Sequence, residues 1–413
     1  MKILFIHQNF PGQYKHLAPK LAELGHRVKA LCISEFRHAM PGVDVIRYPV
    51  KRGTTPNIHP WASDFETKII RGEACARAMR ALKDKGFEPD IVLAHPGWGE
   101  AMFVKDIFPD TKLLSFIEYY YRARGQDVGF DTEFEKRKFE DDARTRGKNA
   151  NSLLALDLMD WGVSPTRWQR DTNPEVFRGK ISVIHDGVDT DALRPDPDAA
   201  VQFGDGPVLR AGDEILTFVN RNLEPLRGFH IFMRALPAIQ QARPNVQTVI
   251  VGGEDKGYGG GSGWKQRLLN EMGDRIDRSR IHFVGRIAYG PFVKLLQVSR
   301  AHVYLSYPFV LSWSMIEALS IGCVVIGGDT PPVAEVIADG GNGLLVDFFD
   351  VEALAARTID VLARPEAYAG VRQAARMSAI ARYDLTRVCL PAQIKLVEDI
   401  ARSGRPQPEI SGD

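Results

Sequence analysis

A chain of 413 residues with a hydrophobic fraction of 44% and a charged fraction of 25% is too long for one ordinary core, so we expect a globular protein with two domains of similar size. The formal net charge of +1 argues against a nucleic-acid-binding protein that relies on a broad basic surface. No apolar run approaches the roughly 20 residues that a transmembrane helix needs.

The four cysteines, Cys32, Cys75, Cys323 and Cys389, lie far apart and form no CxxC pair. Such isolated cysteines are typical of small core residues in a reducing compartment. The amino terminus leads directly into a short strand and lacks the long apolar segment and the small-residue cleavage site of a signal peptide. We therefore expect a cytoplasmic protein, and contact with a membrane surface stays open.

The first half of the chain alternates strands with helices. Residues 2–7 predict a buried strand and residues 15–24 a helix, and the turn between them contains Gly12. Further strands are predicted at residues 28–33, 43–48, 90–94 and 112–117. This alternation indicates a doubly wound α/β fold.

Two predicted helices of the first half are rich in charge. The helix from 63 to 85 carries basic side chains that acidic ones dilute. A basic helix face can lie on anionic lipid, but we favour a solvated face because charge patterns of this kind are common on surfaces. The stretch from 133 to 148 is mixed in sign and predicts a second solvated helix.

His95 stands where the strand beginning at residue 90 ends, and Gly97 and Gly99 give the backbone room beside it. A histidine at this position can orient a hydroxyl group or help a proton to move at neutral pH. The equally weighted alternative is a structural, hydrogen-bonded histidine.

The loop that follows the strand at 112–117 offers candidates for sugar recognition. Carboxylates accept hydrogen bonds from hydroxyl groups and aromatic rings stack on sugar faces, which makes Glu118, Tyr119 and Asp131 candidate acceptor-binding residues. A plain polar loop with buried tyrosine rings is at least as good an interpretation.

The second half restarts the pattern with a strand at 215–221 and a loop that leads into a helix near Phe229. Arg221 and Arg227 flank this turn, where two cations can hold a diphosphate and stabilise it as it leaves. We prefer this role to a surface salt bridge. The chain contains neither GxxxxGK[ST] nor GxGxxG, so a P-loop is excluded.

The stretch from 301 to 335 predicts a strand, a tight loop, a helix that Gly322 ends, and a second buried strand. Such a unit directs a helix N-terminus into the crevice at the carboxyl end of a parallel sheet. Free N–H groups and the helix dipole hold anions there. A nucleoside diphosphate is the ligand that this geometry favours.

This loop and helix, with Glu317 and the run from Pro332 to Glu335, resemble the donor-nucleotide signature of retaining family-4 glycosyltransferases of the GT-B architecture. The resemblance implies an α/β fold of two Rossmann-like doubly wound domains facing a central cleft. That family usually carries two glutamates eight positions apart. Glu317 matches the second, whereas the first falls on Phe309, which cannot accept hydrogen bonds from a sugar. The resemblance also implies an Arg and then a Lys in the diphosphate loop, and Arg227 replaces that Lys.

The resemblance assigns roles to residues of both halves. It implies that His95, Arg221 and Arg227 serve catalysis, with His95 facing the transferred sugar. For Gly12 an approach to the donor diphosphate and a simple turn are equally weighted. The implied donor-binding residues are Gly12, Arg221, Arg227, Arg286, Ile287, Phe309, Val310, Leu311, Ser312, Trp313, Ser314 and Glu317.

We therefore expect a retaining glycosyltransferase that needs no metal and no other cofactor and moves a sugar from a nucleoside diphosphate sugar to a glycan, glycolipid or protein-linked acceptor. Polysaccharide biosynthesis is one of the pathways that fit. An epimerase of the same fold that acts on nucleotide sugars and an inactive sugar-nucleotide-binding relative are the alternatives. Asp189 and Asp191 spell a DxD, which we interpret as turn chemistry and not as a metal site.

The expected domain boundaries follow from these elements. They are residues 1–192 for the acceptor domain, 193–212 for a linker, 213–384 for the donor domain, 385–402 for a helix that crosses back to the first domain, and 403–413 for a tail.

Overall fold

The computed structural model describes residues 1–34, 40–134, 138–258 and 262–407. The chain forms two compact units, one of Met1–Asp186 with Thr386–Asp413 and the other of Gly187–Leu385. The first division therefore lies at Gly187, before the Asp-rich turn, and not after residue 192. The second lies between Leu385 and Thr386.

The first unit is built on a seven-stranded parallel sheet. Its strands are β1 (Lys2–Ile6), β2 (Arg27–Cys32), β3 (Val43–Arg47), β4 (Ile91–Ala94), β5 (Lys112–Phe116), β6 (Trp161–Ser164) and β7 (Ile181–Val183). Its helices before the crossover are α1 (Leu17–Glu23), α2 (Ser63–Asp84), α3 (Val104–Ile107), α4 (Phe139–Leu158), α5 (Arg167–Thr172) and α6 (Glu175–Arg178). The strand order is β3-β2-β1-β4-β5-β6-β7.

The central strands are mostly apolar because both faces of the sheet are covered. In β1, Leu4 and Ile6 belong to one hydrophobic cluster, and Ile3 and Phe5 belong to the cluster on the other face. The alternation follows from the two-residue period of a strand.

The helix that the sequence predicts over residues 133–148 lies further along the chain, at α4 (Phe139–Leu158). Of that stretch, residues 135–137 fall outside the described part of the chain.

The second unit contains a six-stranded parallel sheet and a short antiparallel pair. The pair is β8 (Ala200–Val201) and β9 (Leu209–Arg210), and the sheet strands are β10 (Ile215–Asn222), β11 (Gln247–Gly253), β12 (Ile281–Gly285), β13 (Ala301–Tyr304), β14 (Val325–Gly328) and β15 (Leu344–Val346). The helices are α7 (Phe229–Ala242), α8 (Trp264–Met272), α9 (Tyr289–Val298), α10 (Trp313–Ile321), α11 (Pro331–Ala334), α12 (Val351–Ala363) and α13 (Ala369–Tyr383). The sheet order is β12-β11-β10-β13-β14-β15.

The chain then returns to the first unit. A π-helical turn, Leu385–Cys389, leads into α14 (Leu390–Ser403). From α14, Leu396, Val397 and Ile400 join the hydrophobic cluster that contains Ile3 and Phe5 of β1. This last helix is therefore part of the core of the first unit.

None of the helices in the described ranges combines the length and the apolar character that crossing a bilayer requires. All four cysteines are buried and carry free thiols. A cytoplasmic location and a solvated face for α2 remain predictions, and contact with a membrane surface stays open.

Candidate functional site

Each sheet has a topological switch point, where the chain leaves neighbouring strands in opposite directions. In the second unit β10 lies between β11 and β13, and in the first unit β1 lies between β2 and β4. Loops at the carboxyl ends of such strands diverge and leave a crevice for a ligand. The predicted site residues of each unit lie mainly on these loops.

In the second unit the loop after β10 is shaped by Gly228. Its φ is +68°, and a Cβ at this position would overlap the side chain of Leu305 at the end of β13. Only glycine meets both conditions without strain. The turn Pro225–Arg227 can therefore pack close to β13 before α7 begins at Phe229.

Arg221, at the end of β10, and Arg227, in the turn that follows, have different environments. Arg221 is exposed, and within the described ranges its guanidinium has no hydrogen bond or ion pair to another side chain or carbonyl. Arg227 is half-buried. Its Nη1 donates to Ser306 Oγ at 2.8 Å and to the Val310 carbonyl at 3.2 Å. The structure thus provides one open cation and one anchored cation.

The loop after β13 leads to the N-terminus of α10. Because β13 lies next to β10 in the sheet, this loop and the arginine-bearing turn follow adjacent strands. Ser312 caps α10, since its Oγ accepts a hydrogen bond from the Ser314 N–H at 3.3 Å, and its own N–H donates to Tyr304 Oη at 2.9 Å. Leu311 is buried, Val310 is half-buried, and Trp313 is 44% exposed. This part of the predicted donor site is an ordered cap with one large exposed ring.

Phe309, which stands where the family's first glutamate is expected, is 6% exposed. Its ring centroid lies 5.7 Å from the Arg227 guanidinium carbon and 5.5 Å from the Tyr258 ring centroid. Close by in the chain, Gly257 packs against the carboxylate of Glu224, so that a Cβ at Gly257 would overlap it. The missing carboxylate is replaced by an aromatic and cationic cluster, and Glu224 is a buried carboxylate that the sequence reasoning missed.

Glu317 lies on α10 and is bound from α9. Tyr289 Oη donates to Glu317 Oε1 at 2.9 Å. Burial, together with the charge and hydrogen bond of Glu317, raises the pKa of the Tyr289 phenol, so it stays a donor. Sequence reasoning missed Tyr289, although its position just after the predicted base-binding residues Arg286 and Ile287 was a usable signal.

Arg286 is held by the neighbouring strands. Its Nη2 donates to Asn222 Oδ1 at 2.8 Å and to Asp255 Oδ2 at 2.5 Å, and its Nε approaches the Arg221 carbonyl at 3.5 Å. Ile287 is half-buried next to it. These contacts join the loops after β10, β11 and β12 into one surface of the second unit.

In the first unit three polar residues follow three adjacent strands. His7 comes directly after β1, His95 after β4, and Glu118 two residues after β5. Gly12 lies over the first of them: its φ is +48° and a Cβ would overlap the His7 ring. Gly12 is therefore needed for packing on His7.

A chain of polar contacts, two of them hydrogen bonds, links these residues. His7 Nε2 lies 2.8 Å from Gln13 Oε1, and Gln13 Nε2 donates to Glu118 Oε1 at 3.3 Å. Glu118 Oε2 faces His95 Nε2 at 3.4 Å, which is an ion-pair distance without the alignment of a hydrogen bond. The carboxylate is thus approached by Gln13 on one oxygen and by His95 on the other.

Backbone amides fix the tautomers of both histidines. The Asn9 N–H donates to His7 Nδ1 at 3.1 Å, and the Gly97 N–H donates to His95 Nδ1 at 3.2 Å. A neutral imidazole that accepts at Nδ1 carries its proton on Nε2. Both Nε2–H groups therefore point into the chain that ends at Glu118.

The His95 ring is enclosed by other rings of the same unit. It stacks on Trp98 at a centroid distance of 4.2 Å and on Phe116 at 5.6 Å, while His7 meets it edge-on at 5.4 Å. The whole residue is 3% exposed. These contacts fix the ring plane but cover most of its surface.

Burial shifts the protonation of the surrounding groups. Burial and the neighbouring His95 lower the pKa of His7 to about 4, whereas burial raises the pKa of Glu100 to about 7. Burial also acts to raise the pKa of Glu118, but its interactions with His95, His7 and Gln13 outweigh burial and hold this pKa below its ordinary value. Of the two glutamates, Glu118 is therefore the one that is ionised at neutral pH.

The other predicted acceptor-binding residues are engaged within their own loop. Tyr119 Oη donates to Asp127 Oδ1 at 2.8 Å, and Asp131 Oδ1 accepts from the Glu133 N–H at 2.9 Å. Asp131 is 2% exposed. The structure brings Glu118 to His95, and it gives Tyr119 and Asp131 roles in shaping the loop.

The Asp189–Asp191 stretch forms the predicted turn. Asp189 Oδ1 accepts from the N–H groups of Asp191 at 3.1 Å and Ala192 at 2.9 Å. This is the Asx-turn pattern.

Comparison with known proteins tests the family. Residues 24–193 match the model of the glycosyl transferase family 4 group, and residues 206–378 match that of glycosyl transferases group 1. The chain is a member of the family-4, group 1 glycosyltransferases. The two matches cover six of the seven strands of the first unit's sheet and the whole six-stranded sheet of the second unit, so the predicted family is confirmed.

Curated relatives of this glycosyltransferase are distant. A phosphatidyl-myo-inositol mannosyltransferase of Mycolicibacterium smegmatis is 29% identical over 258 residues, which are 60% of this chain and 58% of the relative. A D-inositol 3-phosphate glycosyltransferase of Segniliparus rotundus is 28% identical over 210 residues, 48% of this chain and 44% of the relative. The chain therefore spans about half the length of the curated relatives that it matches.

Solved structures of similar fold include sucrose-phosphate synthase of Thermosynechococcus elongatus, with a TM-score of 0.72 and 18% identity over 98% of this chain and 100% of that one. Anabaena Alr3699/HepE in complex with UDP-glucose gives a TM-score of 0.66 and 16% identity over 96% of this chain and 100% of that one. The predicted fold class, two Rossmann-like parallel-sheet domains of the GT-B class, is confirmed.

Proposed function

We propose that this family member is a retaining, metal-independent glycosyltransferase that moves a sugar from a nucleoside diphosphate sugar to a hydroxyl group of a glycan, glycolipid or protein-linked acceptor. We assign donor binding to the second unit and the acceptor side to the first. The observation that carries the proposal is the switch point of the second unit, where Arg221, Arg227 and the N-terminus of α10 follow adjacent strands.

The chemistry requires positive charge at the leaving group. When the bond from the anomeric carbon to the phosphate breaks, the nucleoside diphosphate gains negative charge and the sugar becomes oxocarbenium-like. Preorganised donors and cations stabilise such charge without reorganising. Arg221 is exposed and open to a phosphate, and Arg227 is oriented by Ser306 and Val310. These two arginines with the amides at the start of α10 would meet the charge without a metal ion.

The second carboxylate of the family supports the nucleotide assignment. Glu317 is held by Tyr289, and a carboxylate in a fixed position suits the paired hydroxyl groups of a ribose. The buried Phe309 presents no such acceptor to the donor hexose. We therefore expect the donor nucleotide to be recognised more strongly than its sugar.

The printed names of relatives and neighbours guide the choice of donors and acceptors. A GDP-mannose-dependent enzyme acting on phosphatidylinositol monomannoside matches over 53% of this chain at 27% identity, and the HepE structure holds UDP-glucose. We extend the relatives' inositol and lipid acceptors to this chain only as candidates, and polysaccharide assembly stays among them.

Thermal unfolding with UDP, GDP, ADP, dTDP and their sugars, each in excess EDTA, tests the proposal. A ligand at about 100 times its dissociation constant stabilises a protein by about 2.7 kcal/mol. We expect one nucleotide to raise the melting temperature, Arg221→Ala to abolish that rise, and Arg210→Ala, an exposed arginine on β9, to keep it.

Two results would contradict the proposal. If no nucleotide stabilises the wild-type protein, the donor assignment is wrong. If stabilisation needs a divalent cation, metal independence is wrong. Conversion of the donor alone into a different nucleotide sugar would favour an epimerase instead.

A further inference from the structure

A buried carboxyl group of the first unit lies where α2 packs on the segment that follows β4. Glu100 is 0% exposed, and in the described part of the chain neither of its oxygens has a hydrogen bond to another residue. A carboxylate ion in such a place is costly, whereas the neutral acid is tolerated. The packing at this contact therefore depends on whether Glu100 carries its proton.

α2 and the segment of residues 95–100 meet backbone to backbone. A Cβ at Gly72 of α2 would lie 2.8 Å from the Gly99 carbonyl oxygen. Gly99 has a φ of +100°, and a Cβ there would overlap the backbone of Lys68. Only glycine permits so close an approach. Water can reach Glu100 from this side only if α2 moves.

The titratable and charged groups that face Glu100 come from three places in the first unit. Tyr48 follows β3 and Cys75 lies on α2, and both are buried and interact electrostatically with Glu100. His95, at the end of β4, and Arg71, on α2, are the others. Burial raises the pKa of the Tyr48 phenol and of the Cys75 thiol, so both stay neutral.

Arg71 is the cation of α2 that can respond to a charge on Glu100. It is half-buried, and within the described ranges no hydrogen bond or ion pair holds its guanidinium. Lys68, the other cation of α2 at this contact, is already engaged by Asp64 at 2.7 Å. The helix thus carries one cation near Glu100 that is not committed to another carboxylate.

Burial outweighs these charges. It raises the pKa of Glu100 from 4.5 to about 7, against the opposing effects of its own backbone, Arg71 and His95. The proton of Glu100 is therefore lost near neutral pH, while the groups of α2 and β3 around it keep theirs.

We propose that Glu100 is a pH-sensitive latch for α2. While it is protonated, α2 stays closed on residues 95–100, and its ionisation opens α2 locally, to a degree that Arg71 limits. The latch lies within the first unit, and it acts on the segment that contains His95.

The direction of the effect follows from linkage. When α2 opens, Glu100 becomes hydrated and its pKa returns towards 4.5. Opening is therefore insensitive to pH below about 4.5, becomes easier as the pH rises towards 7, and levels off above 7.

Hydrogen–deuterium exchange of the whole protein, followed by mass spectrometry, tests the latch. We expect the protection of the α2 amides, corrected for the intrinsic exchange rate at each pH, to fall about 50-fold between pH 5 and pH 8. α2 contributes to the hydrophobic cluster on one face of the sheet and α14 to the cluster on the other face. The protection of α14 should therefore stay constant.

Variants separate the latch from other titrations. Glu100→Gln removes the titrating group, so α2 should be equally protected at both pH values. Arg71→Ala removes a charge that favours ionised Glu100, so the pH at which protection levels off should move above 7, and Arg71→Lys should return it. Arg77→Ala, which removes an exposed cation of α2 paired with Glu73 at 2.7 Å, should behave as the wild type.

Three outcomes would overturn the latch. These are α2 protection that does not vary with pH, the same variation in Glu100→Gln, or an equal loss of protection in α14. If Glu100→Gln does not fold, the Arg71 variants decide, because an unchanged levelling pH in Arg71→Ala would also overturn it. The exchange measurement needs no nucleotide, so its outcome is independent of the proposed function.

Discussion

The switch points of the two sheets have the same topology and carry different chemistry. In the second unit the end of β10 and the turn that follows it present Arg221 and Arg227, whose charge does not change at any physiological pH. In the first unit the loops after β1, β4 and β5 present two histidines and a carboxylate that are buried to different depths. One fold thus provides a permanent electrostatic site and a titratable one.

The two sites differ because the arginines of the second unit and the histidines of the first unit have different surroundings. Arg221 faces solvent, where a guanidinium is stable without a partner. His7 and His95 lie among the rings of Tyr14, Trp98 and Phe116, where a charge is costly. The first unit therefore keeps His7 neutral, and the side chains of Gln13 and His95 approach one carboxylate. The comparison leads us to expect pH-independent defects in the second unit and pH-dependent defects in the first.

The largest effect should come from Arg227. Replacement by alanine removes a cation that Ser306 and Val310 orient, and loss of one such stabilising donor typically lowers catalysis by about 10²–10³-fold. Arg227→Lys keeps the charge but loses the planar fork and its contact with Phe309, so an intermediate loss of about tenfold is expected. Steady-state kinetics from pH 6 to 9 provide the measurement.

The control is Arg357→Ala, a surface cation on α12 paired with Asp339 at 3.4 Å, which should leave the rate unchanged. The contrast between the units requires the Arg227→Ala defect to be equal across the pH range. A defect that grows or vanishes with pH would show that the second unit also contains a titrating group, and the comparison would fail.

A smaller effect, on stability, should come from Glu100. Its folded pKa of about 7 lies above the ordinary value of 4.5, so its contribution to folding is fully present below about pH 4.5 and is lost as the pH rises through 7. The loss is on the order of 3 kcal/mol. Glu100→Gln should therefore be more stable relative to wild type at pH 8.5 than at pH 5, in urea unfolding followed by circular dichroism.

His7 acts in the opposite direction, which makes the comparison of variants necessary. Because its pKa is lowered to about 4 from 6.5, its contribution is present above 6.5 and is lost as the pH falls through 4. His7 is unchanged in Glu100→Gln, so the difference between variant and wild type isolates Glu100. A difference that does not vary between pH 5 and 8.5 would mean that Glu100 is not protonated in the fold.

The fold could be predicted from the sequence because its central strands are largely apolar and several of its turns carry glycine. Strands such as β1 and β4 need only that pattern to be located. The helix α4 was placed too early, since a run of mixed charge at 133–148 gives no period to mark where helix begins. Its buried residues, among them Asn149 and Asn151, are polar and hide the inward face.

The sites were predictable only in part. Arg221, Arg227 and Glu317 could be predicted as candidates because they lie at a strand end, in the turn after it and within a short helix, in a local pattern. Partners that come from distant parts of the chain could not. Gln13 meets Glu118 across 105 positions, and Tyr289 meets Glu317 across 28. Sequence spacing carries no trace of such pairs, so the contacts of Glu118 and Glu317 emerge only from the structure.

The smallest effect should come from Tyr289, and it sharpens the description of the second unit as electrostatic. Tyr289→Phe removes the 2.9 Å hydrogen bond to Glu317 without changing any charge. A hydrogen bond to a charged group contributes about 1.5–3 kcal/mol to stability when it is buried. Tyr289 is exposed, so we expect a smaller contribution here. We expect a roughly fivefold rise in donor KM with kcat unchanged, because the proposed ribose contact of Glu317 would be made in both the ground state and the transition state. Tyr368→Phe, which removes a tyrosine–carboxylate bond to Asp360 on α12, is the matched control and should have no effect on KM. A fall in kcat instead would mean that Glu317 acts on the departing group, and that the second unit orients the reacting centre as well as the nucleotide.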